Sequence, residues 1–129
     1  MEITTDGTNP QPDTTAPSVI STSPQAGATG VSPTANVRAT FSGEMQTSTI
    51  NTTTFKLFMK GSTTKVLASV SYDAASDKAT LDPTNSLKKG TTYKAVITTE
   101  AKDLAGNSLD QNPTLSGLKQ KVWSFKVKN

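Results

Sequence analysis

The amino-acid sequence predicts an all-β fold, namely an antiparallel β-sandwich of about seven short strands. Thr and Ser are abundant, and aromatic residues make up only 5 % of the 129 residues. Thr and Val suit a pleated surface and lose side-chain freedom in a helix, so this composition favours strands. Apolar and polar residues also alternate in several short runs separated by Gly, Pro, Asn and Asp, which is the pattern of strands joined by turns.

The beginning of the chain predicts a linker followed by two strands. Residues 1–16 are polar, contain two prolines and have no periodicity, so we expect a flexible N-terminal linker before a domain that spans residues 17–129. The run SVISTSP predicts a short strand that ends at Pro24. The run NVRATFS places alternate residues from Val37 to Phe41 on one apolar face, as in a half-buried strand.

The middle of the chain predicts a loop and then three strands. The run GEMQTSTINTTTF has no sustained period and predicts a loop or one helical turn that contributes Met45 and Ile50 to the core. The runs FKLFMKG and KVLASVSY both alternate as strands do. The run KATLDP returns as a further strand after DAASD, in which Asp73, Ser76 and Asp77 can bond nearby backbone groups. These last two strands therefore form a predicted hairpin.

The end of the chain predicts the last two strands and completes the core. The run LKKGTTYKAVITTE turns at Gly90 and then alternates, and KVWSFKV alternates large apolar residues with Ser and Lys. Trp123 lies in this alternation, so we interpret it as a core anchor and not as a platform for stacking sugars. The predicted core residues are Val37, Phe41, Leu57, Val70, Leu81, Tyr93, Ile97, Trp123 and Phe125.

The charge and the missing residue types exclude several classes of function. The net charge of +3 comes from 13 Lys and Arg against 10 acidic residues, and Arg38 is the only arginine. A nucleic-acid surface usually has clustered arginines with interleaved aromatic residues, so we expect no nucleic-acid partner. The absence of Cys and His removes disulfides, zinc sites built on Cys and His, Ser-His-Asp triads and thiol catalysis.

The sequence shows no targeting or membrane signal of its own. No segment approaches the ~20 apolar residues that span a membrane, so we expect no membrane insertion. The start MEITTDGTNPQP lacks the basic and then apolar order of a signal peptide. We therefore expect an internal piece of a longer polypeptide whose targeting signal lies elsewhere.

The carboxylates offer no convincing catalytic pair. Asp73 and Asp77 flank the predicted turn, and glycosidases use two carboxylates about 5 to 9 Å apart. A tight turn at the edge of a sandwich, however, has no cleft that excludes water. Glu44 and Glu100 are interpreted as solvated charges at strand ends. We therefore expect no catalytic residues and no enzyme activity.

The stretch AKDLAGNSLD contains Asp103, Gly106 and Asn107 close together. In a turn, Asp103 accepts hydrogen bonds from backbone N–H groups a few residues later, Gly106 takes a positive φ, and Asn107 tolerates the same region. Leu104 is then expected to close the end of the sandwich. The alternative is a calcium loop, because Ca²⁺ takes roughly six to eight oxygen ligands and these side chains offer some of them.

Several spaced motifs together resemble the bacterial Ig-like domain found in S-layer and other surface proteins. The resemblance covers about Asp13 to Val127 and implies an Ig-like antiparallel β-sandwich with Greek-key connections. It also implies an extracellular or cell-surface location, with neighbouring domains of the same polypeptide as partners. The insert QNPTLSGLKQK, residues 111–121, is longer than the family pattern. In chain order the motifs are DTTAPSVISTSPQAGATGVSP, VRATFSGEMQTSTIN, VSYDAASDKATLDPTNSLKKGTTYKAVIT, KDLAGNSL and WSFKV.

The resemblance also bears on calcium. Some Ig-like repeats of bacterial adhesins share the DTTAP and D-AGN elements and are stiffened by calcium at domain borders. The calcium ligand set implied here is Asp13, Asp103 and Asn107. The acidic cluster of a dedicated calcium loop is missing, so such a site would be weak or would need a neighbouring domain.

Two functions follow from these observations. The first is a non-catalytic structural spacer of a larger secreted or surface protein, which fits the low aromatic content and the linker. The second is a binding module for cell-wall polysaccharide or a partner protein. It rests on the insert and on lysines that could touch anionic wall polymers, namely Lys88 and Lys89 in LKKG together with Lys119, Lys121, Lys126 and Lys128. The lysines on the last strand also predict a monomer in isolation, because charges on an edge strand oppose pairing.

Overall fold

The computed structural model describes residues 15–129, where the regular structure is seven β-strands and one short 3₁₀ helix (Thr47–Thr49). The strands are β1 (Val19–Ser23), β2 (Val37–Phe41), β3 (Phe55–Met59), β4 (Ala68–Asp73), β5 (Lys78–Pro83), β6 (Thr92–Ile97) and β7 (Lys121–Lys126). The predicted linker, residues 1–16, lies outside the described residues except for its last two. No helix in the described part is long and apolar enough to span a membrane.

The strands form two antiparallel sheets that face each other across the core. One sheet has the strand order β1-β2-β5-β4, and the other has the order β3-β6-β7. The chain therefore crosses between the sheets after β2, β3 and β5, which produces Greek-key connections. This is the strand arrangement of seven-stranded, constant-type Ig domains. The predicted Ig-like antiparallel β-sandwich is confirmed.

The core lies between the sheets and is built from alternate residues of the strands. Eight of the nine predicted core residues are at most 3 % exposed, namely Val37, Phe41, Leu57, Leu81, Tyr93, Ile97, Trp123 and Phe125. The ninth, Val70, is only partly buried and packs against the rim of the core. Its strand β4 is at the edge of its sheet, so Val70 has a neighbouring strand on one side only. The two-residue period of a sequence does not show which strand will be at an edge.

Two aromatic side chains tie the sheets to the connecting loops. The Tyr93 hydroxyl accepts a hydrogen bond from the Lys88 N–H at 2.8 Å, which is the tyrosine corner of Ig-like sandwiches. Trp123 packs against Phe55, and its Nε1–H donates to the Pro24 carbonyl at 3.0 Å. The single Trp is therefore a buried anchor that joins the last strand to the end of the first.

The chain enters and leaves the sandwich at opposite ends. β1 begins with Val19 paired to Phe41, and β7 ends with Lys126 paired to Thr92 at the other end of the strands. We call these the N-terminal end and the C-terminal end. The N-terminal end carries the loops 42–54, 74–77 and 98–120, and the C-terminal end carries the loops 24–36, 60–67 and 84–91.

Candidate functional site

The side chains of Asp103 and Asn107 come together at the N-terminal end. Asp103 is only 6 % exposed. Its Oδ1 accepts a hydrogen bond from the Asn107 backbone N–H at 2.8 Å, and its Oδ2 accepts one from Asn107 Nδ2 at 3.1 Å. Both oxygens of this buried carboxylate therefore bond to a single residue four positions later, which is the arrangement expected of a turn.

The backbone of the same segment is a tight hairpin. The Asp103 N–H donates to the Asn107 carbonyl at 3.0 Å, and the Gly106 N–H donates to the Asp103 carbonyl at 3.0 Å. Gly106 has a φ of +88°, a conformation that favours glycine. The hairpin docks on the loop after β2, where Met45 forms a β-bridge with Asp103. The turn role predicted for Asp103 and Gly106 accounts for the bonds within the hairpin. Asn107 does not take the predicted left-handed conformation and instead bonds to Asp103 through its backbone and side-chain amides.

The prediction that Leu104 closes the end of the sandwich is wrong. Leu104 is at the tip of the hairpin and is 62 % exposed, whereas Ala101 and Leu109 are completely buried. The Leu109 N–H donates to the Ala101 carbonyl at 2.8 Å, so these residues lie opposite each other at the base of the hairpin. The base faces the core and the tip faces solvent, because the hairpin projects away from the sandwich.

The predicted calcium ligands are only partly within the described chain. Asp103 and Asn107 are in contact, but Asp13 lies outside the described residues. A shallow cavity of about 510 Å³ borders Asp103 and is lined by Thr15–Pro17, Ser42–Glu44 and Leu104–Ala105. Within residues 15–129, no three acidic side chains form a group that could hold a metal ion. The calcium ligand set stays a prediction, and the contacts of Asp103 favour the turn.

The two carboxylates of the hairpin between β4 and β5 also serve local structure. Asp73 Oδ1 accepts the Ala75 N–H at 3.1 Å, and its Oδ2 accepts the Ser76 hydroxyl at 2.9 Å. Asp77 has a φ of +56°, which Asp tolerates in turns. It accepts a long hydrogen bond from the Tyr72 hydroxyl at 3.4 Å. Asp73 thus serves the four-residue turn as its sequence indicates, whereas the Asp77 carboxylate bonds to the Tyr72 side chain instead of the predicted backbone group.

Tyr72 is a polar anchor that the sequence pattern did not reveal. Its hydroxyl accepts a hydrogen bond from the Met45 N–H at 2.8 Å and so fixes the loop after β2 against β4. Burial raises the pKa of Tyr72 above its ordinary value, although the bond from Met45 acts in the opposite direction. The alternation of KVLASVSY only predicted that this side chain faces inward.

The insert 111–121 is attached to the free edge of β1. The Gln111 side chain accepts the Val19 N–H and donates to the Val19 carbonyl, both at 2.9 Å, and so imitates a neighbouring strand. The Lys119 N–H donates to Asp110 Oδ1 at 3.1 Å and closes the insert. No local sequence signal identifies this contact, because Gln111 and Val19 are far apart in the chain.

The lysines named for the binding alternative do not all lie in one patch, since Lys88 and Lys89 are in the loop 84–91 at the C-terminal end and Lys119 is at the N-terminal end. Lys119 is in the insert, and Lys121 Nζ is 6.0 Å from the centre of the Trp123 ring. Lys126 is exposed on β7, and Lys128 is exposed beyond the end of that strand, at the C-terminal end. Any basic binding surface of this domain must therefore be composed of other residues as well.

Comparison with known proteins places these observations in context. A family model described as the bacterial Ig-like domain matches residues 13–127. No curated protein matches the chain. The crystal structure of the S-layer protein rSbsC is 22 % identical with a TM-score of 0.61, and the match covers 88 % of this chain and 14 % of that one. The chain thus spans a small part of the S-layer protein that it resembles.

Two shorter proteins, PcoC and CopC, have a similar fold. PcoC, a methionine-rich copper resistance protein from Escherichia coli, is 20 % identical with a TM-score of 0.67, over 88 % of this chain and all of that one. CopC from Methylosinus trichosporium OB3b is 15 % identical with a TM-score of 0.65, over 87 % and 93 % of the two chains. At these identities the likeness concerns the fold alone, which hosts many functions.

Proposed function

This chain belongs to the bacterial Ig-like domain family, and on that premise we propose that it is a non-catalytic spacer in a larger exported protein. The observation that carries the proposal is the position of the two ends of the domain. Seven strands in this order place the first residue of β1 and the last residue of β7 at opposite ends of the sandwich. Neighbouring domains on either side are then held apart by the full length of the strands.

The pairing of residues 28–31 with the C-terminal residues of the chain also suits a spacer. The segment that ends at Val31 runs parallel to the end of the chain after β7, and Val31 forms a parallel β-bridge with Val127. The Lys126 N–H donates to the Ala28 carbonyl at 2.8 Å, and the Lys128 N–H donates to the Val31 carbonyl at 2.9 Å. Tension applied at the two ends would shear these bonds together instead of opening them one at a time. The domain is therefore suited to hold its length under load.

The polar groups of the described chain support a non-catalytic role. The carboxylates of Asp73, Asp77 and Asp103 are engaged in turns. A copper role like that in the name of PcoC is not proposed. Copper(I) selects soft thiolate and thioether ligands, whereas this chain has no Cys, no His and three Met, of which Met45 is completely buried.

We place the parent protein outside the cytoplasm, in the periplasm or at the cell surface. The S-layer and copper-resistance proteins of similar fold and the family assignment support this location. A part in an S-layer, an adhesin or a secreted enzyme would each use the same spacer geometry. Neighbouring domains of the same polypeptide are the proposed partners.

Small-angle X-ray scattering of one copy and of two full copies joined in sequence tests the spacer function. If the two copies stack end to end, the maximum dimension of the tandem should be close to twice that of the single chain. The control is a tandem with a long Gly/Ser linker between the copies, which relaxes the arrangement. A compact tandem, with the copies side by side, would contradict the proposal.

A further inference from the structure

The outer face of the three-stranded sheet is basic and partly apolar. Side chains alternate across a sheet, and the inward residues of β3, β6 and β7 are buried except Met59 and Lys121 at strand ends. The register then groups the outward residues into neighbouring positions across the sheet. The outward residues are Lys56, Phe58, Thr92, Lys94, Val96, Val122, Ser124 and Lys126.

Three lysines lie on a diagonal across this face. Lys56 on β3 is opposite Val96 on β6, and Lys94 is two residues from Val96 along β6. Lys94 is opposite Ser124 on β7, and Lys126 is two residues from Ser124 along β7. Diagonal neighbours of this kind are about 7–8 Å apart. The diagonal runs from the N-terminal end of β3 to the C-terminal end of β7, so it crosses the whole face.

Within residues 15–129, no acidic side chain forms an ion pair with the lysines of this diagonal. None of the described outward residues of the sheet is acidic. The Lys94 ammonium lies 5.7 Å above the ring of Phe58, within the range of a cation–π contact. The lysine is therefore held close to the sheet surface while it remains exposed.

The outer face of the four-stranded sheet differs in this respect. It carries Arg38 and Lys78 together with Asp73 and Asp82, and Asp73 is directly opposite Lys78. Opposite charges in cross-strand pairs stabilise a sheet. Among the described residues, the outer face of the four-stranded sheet thus mixes both signs of charge, whereas the outer face of the three-stranded sheet carries lysines and no acid.

We propose that the outer face of the three-stranded sheet binds a linear anionic glycan polymer of the cell envelope. Acidic groups of the polymer contact Lys56, Lys94 and Lys126, and Phe58 and the 44 % exposed Val122 provide apolar surface for the sugar rings between them. This inference does not depend on the spacer function, although a tandem array would add avidity to a weak single site.

The acidic groups of the polymer are either carboxylates or phosphates, and the binding assay separates these two sources. The probes are polygalacturonate, a glycan whose sugars are linked through phosphodiesters, neutral dextran and single-stranded DNA. Each is titrated into the full chain at ~0.01 M and ~0.15 M salt, because exposed charges are screened as salt rises. Binding of one or both acidic polymers, stronger than that of dextran and DNA, is expected. The polymer that binds identifies the source of the acidic groups.

The decisive comparison is between two variants of equal net charge. Lys56→Ser, Lys94→Ser and Lys126→Ser remove the diagonal, whereas the control variant replaces Arg38, Lys78 and Lys102 by Ser at exposed positions outside this face. The diagonal variant should bind on the order of tenfold more weakly, since each exposed charge contact contributes about 0.2–1 kcal/mol, and the control should bind nearly as wild type. Equal losses in both variants, no binding of either acidic polymer, or DNA binding as strong as polymer binding would each overturn the proposal.

Discussion

Replacement of Asp103 by Ala should destabilise the domain even when no divalent cation is present. The carboxylate is 6 % exposed and accepts two hydrogen bonds from Asn107, at 2.8 and 3.1 Å. A hydrogen bond to a charged group contributes about 1.5–3 kcal/mol net, and two bonds to one residue are not fully additive. We therefore expect the free energy of unfolding to fall by about 2–4 kcal/mol.

Urea unfolding followed by Trp fluorescence measures this change, because the single Trp is buried in the native state. The experiment is first done with chelator. Leu104→Ala is the matched control, since Leu104 is in the same hairpin and 62 % exposed, and it should change stability by less than about 0.5 kcal/mol. An Asp103→Ala variant as stable as this control would show that the contacts of Asp103 do not hold the turn.

Calcium is then added to the wild type and to the Asp103→Ala variant. A ligand at one hundred times its dissociation constant stabilises the native state by about 2.7 kcal/mol. If the carboxylate serves the turn alone, calcium leaves both proteins unchanged. A stabilisation of the wild type that the variant lacks would contradict this expectation and would support the ligand set of Asp13, Asp103 and Asn107.

Three further substitutions test contacts that the structure identifies. Leu109→Ala should lower the free energy of unfolding by about 3–5 kcal/mol because it leaves a cavity at a fully buried position, whereas Leu104→Ala should not. Tyr93→Phe should cost about 0.5–1.5 kcal/mol through loss of the bond to the Lys88 N–H; an unchanged denaturation midpoint would contradict a stabilising tyrosine corner. Tyr72→Phe tests pH dependence. Burial raises the pKa of Tyr72, so its contribution is complete below the ordinary value of ~10 and is lost as the pH rises through the raised pKa. Wild type should therefore lose stability more steeply than Tyr72→Phe above pH ~10, and parallel losses would refute the assignment.

The strands could be predicted from the sequence because the alternation of apolar and polar residues within each run shows which side chains face the core. The alternation of Trp123 and Phe125 with polar residues indicates a strand with one buried face and one solvated face. The turns between strands are indicated by Gly, Pro, Asn and Asp. The turn role of Asp103 was predictable for the same reason. Its carboxylate bonds to Asn107, four residues later, so the local sequence contains both partners of these hydrogen bonds.

Contacts between distant segments could not be predicted in this way. Leu109 and Leu104 are both apolar residues near one turn, and only the docking of the hairpin decides which of them is buried. The bonds between Gln111 and Val19 depend on where the insert meets β1. The lysine diagonal likewise depends on the register of three strands, which is set by the whole core and not by any single run of sequence.

One more substitution tests whether the lysine diagonal itself binds the polymer. Ser124 is directly opposite Lys94 and is exposed, so Ser124→Glu places an acid beside the lysine diagonal. A cross-strand pair of opposite charge stabilises a sheet by about 0.2–1 kcal/mol, and the same acid neutralises a lysine that the polymer would contact. We therefore expect equal or greater stability together with weaker polymer binding.

The control for this test is Ser71→Glu, which makes the same charge change at an exposed position on the outer face of the other sheet. It should leave polymer binding close to that of the wild type, because the change in net charge is identical and only the face differs. If Ser124→Glu and Ser71→Glu weaken binding equally, the polymer responds to net charge and the three-stranded face is not its site. If only Ser124→Glu weakens binding while stability holds, the lysine diagonal contributes to recognition and is not required for folding.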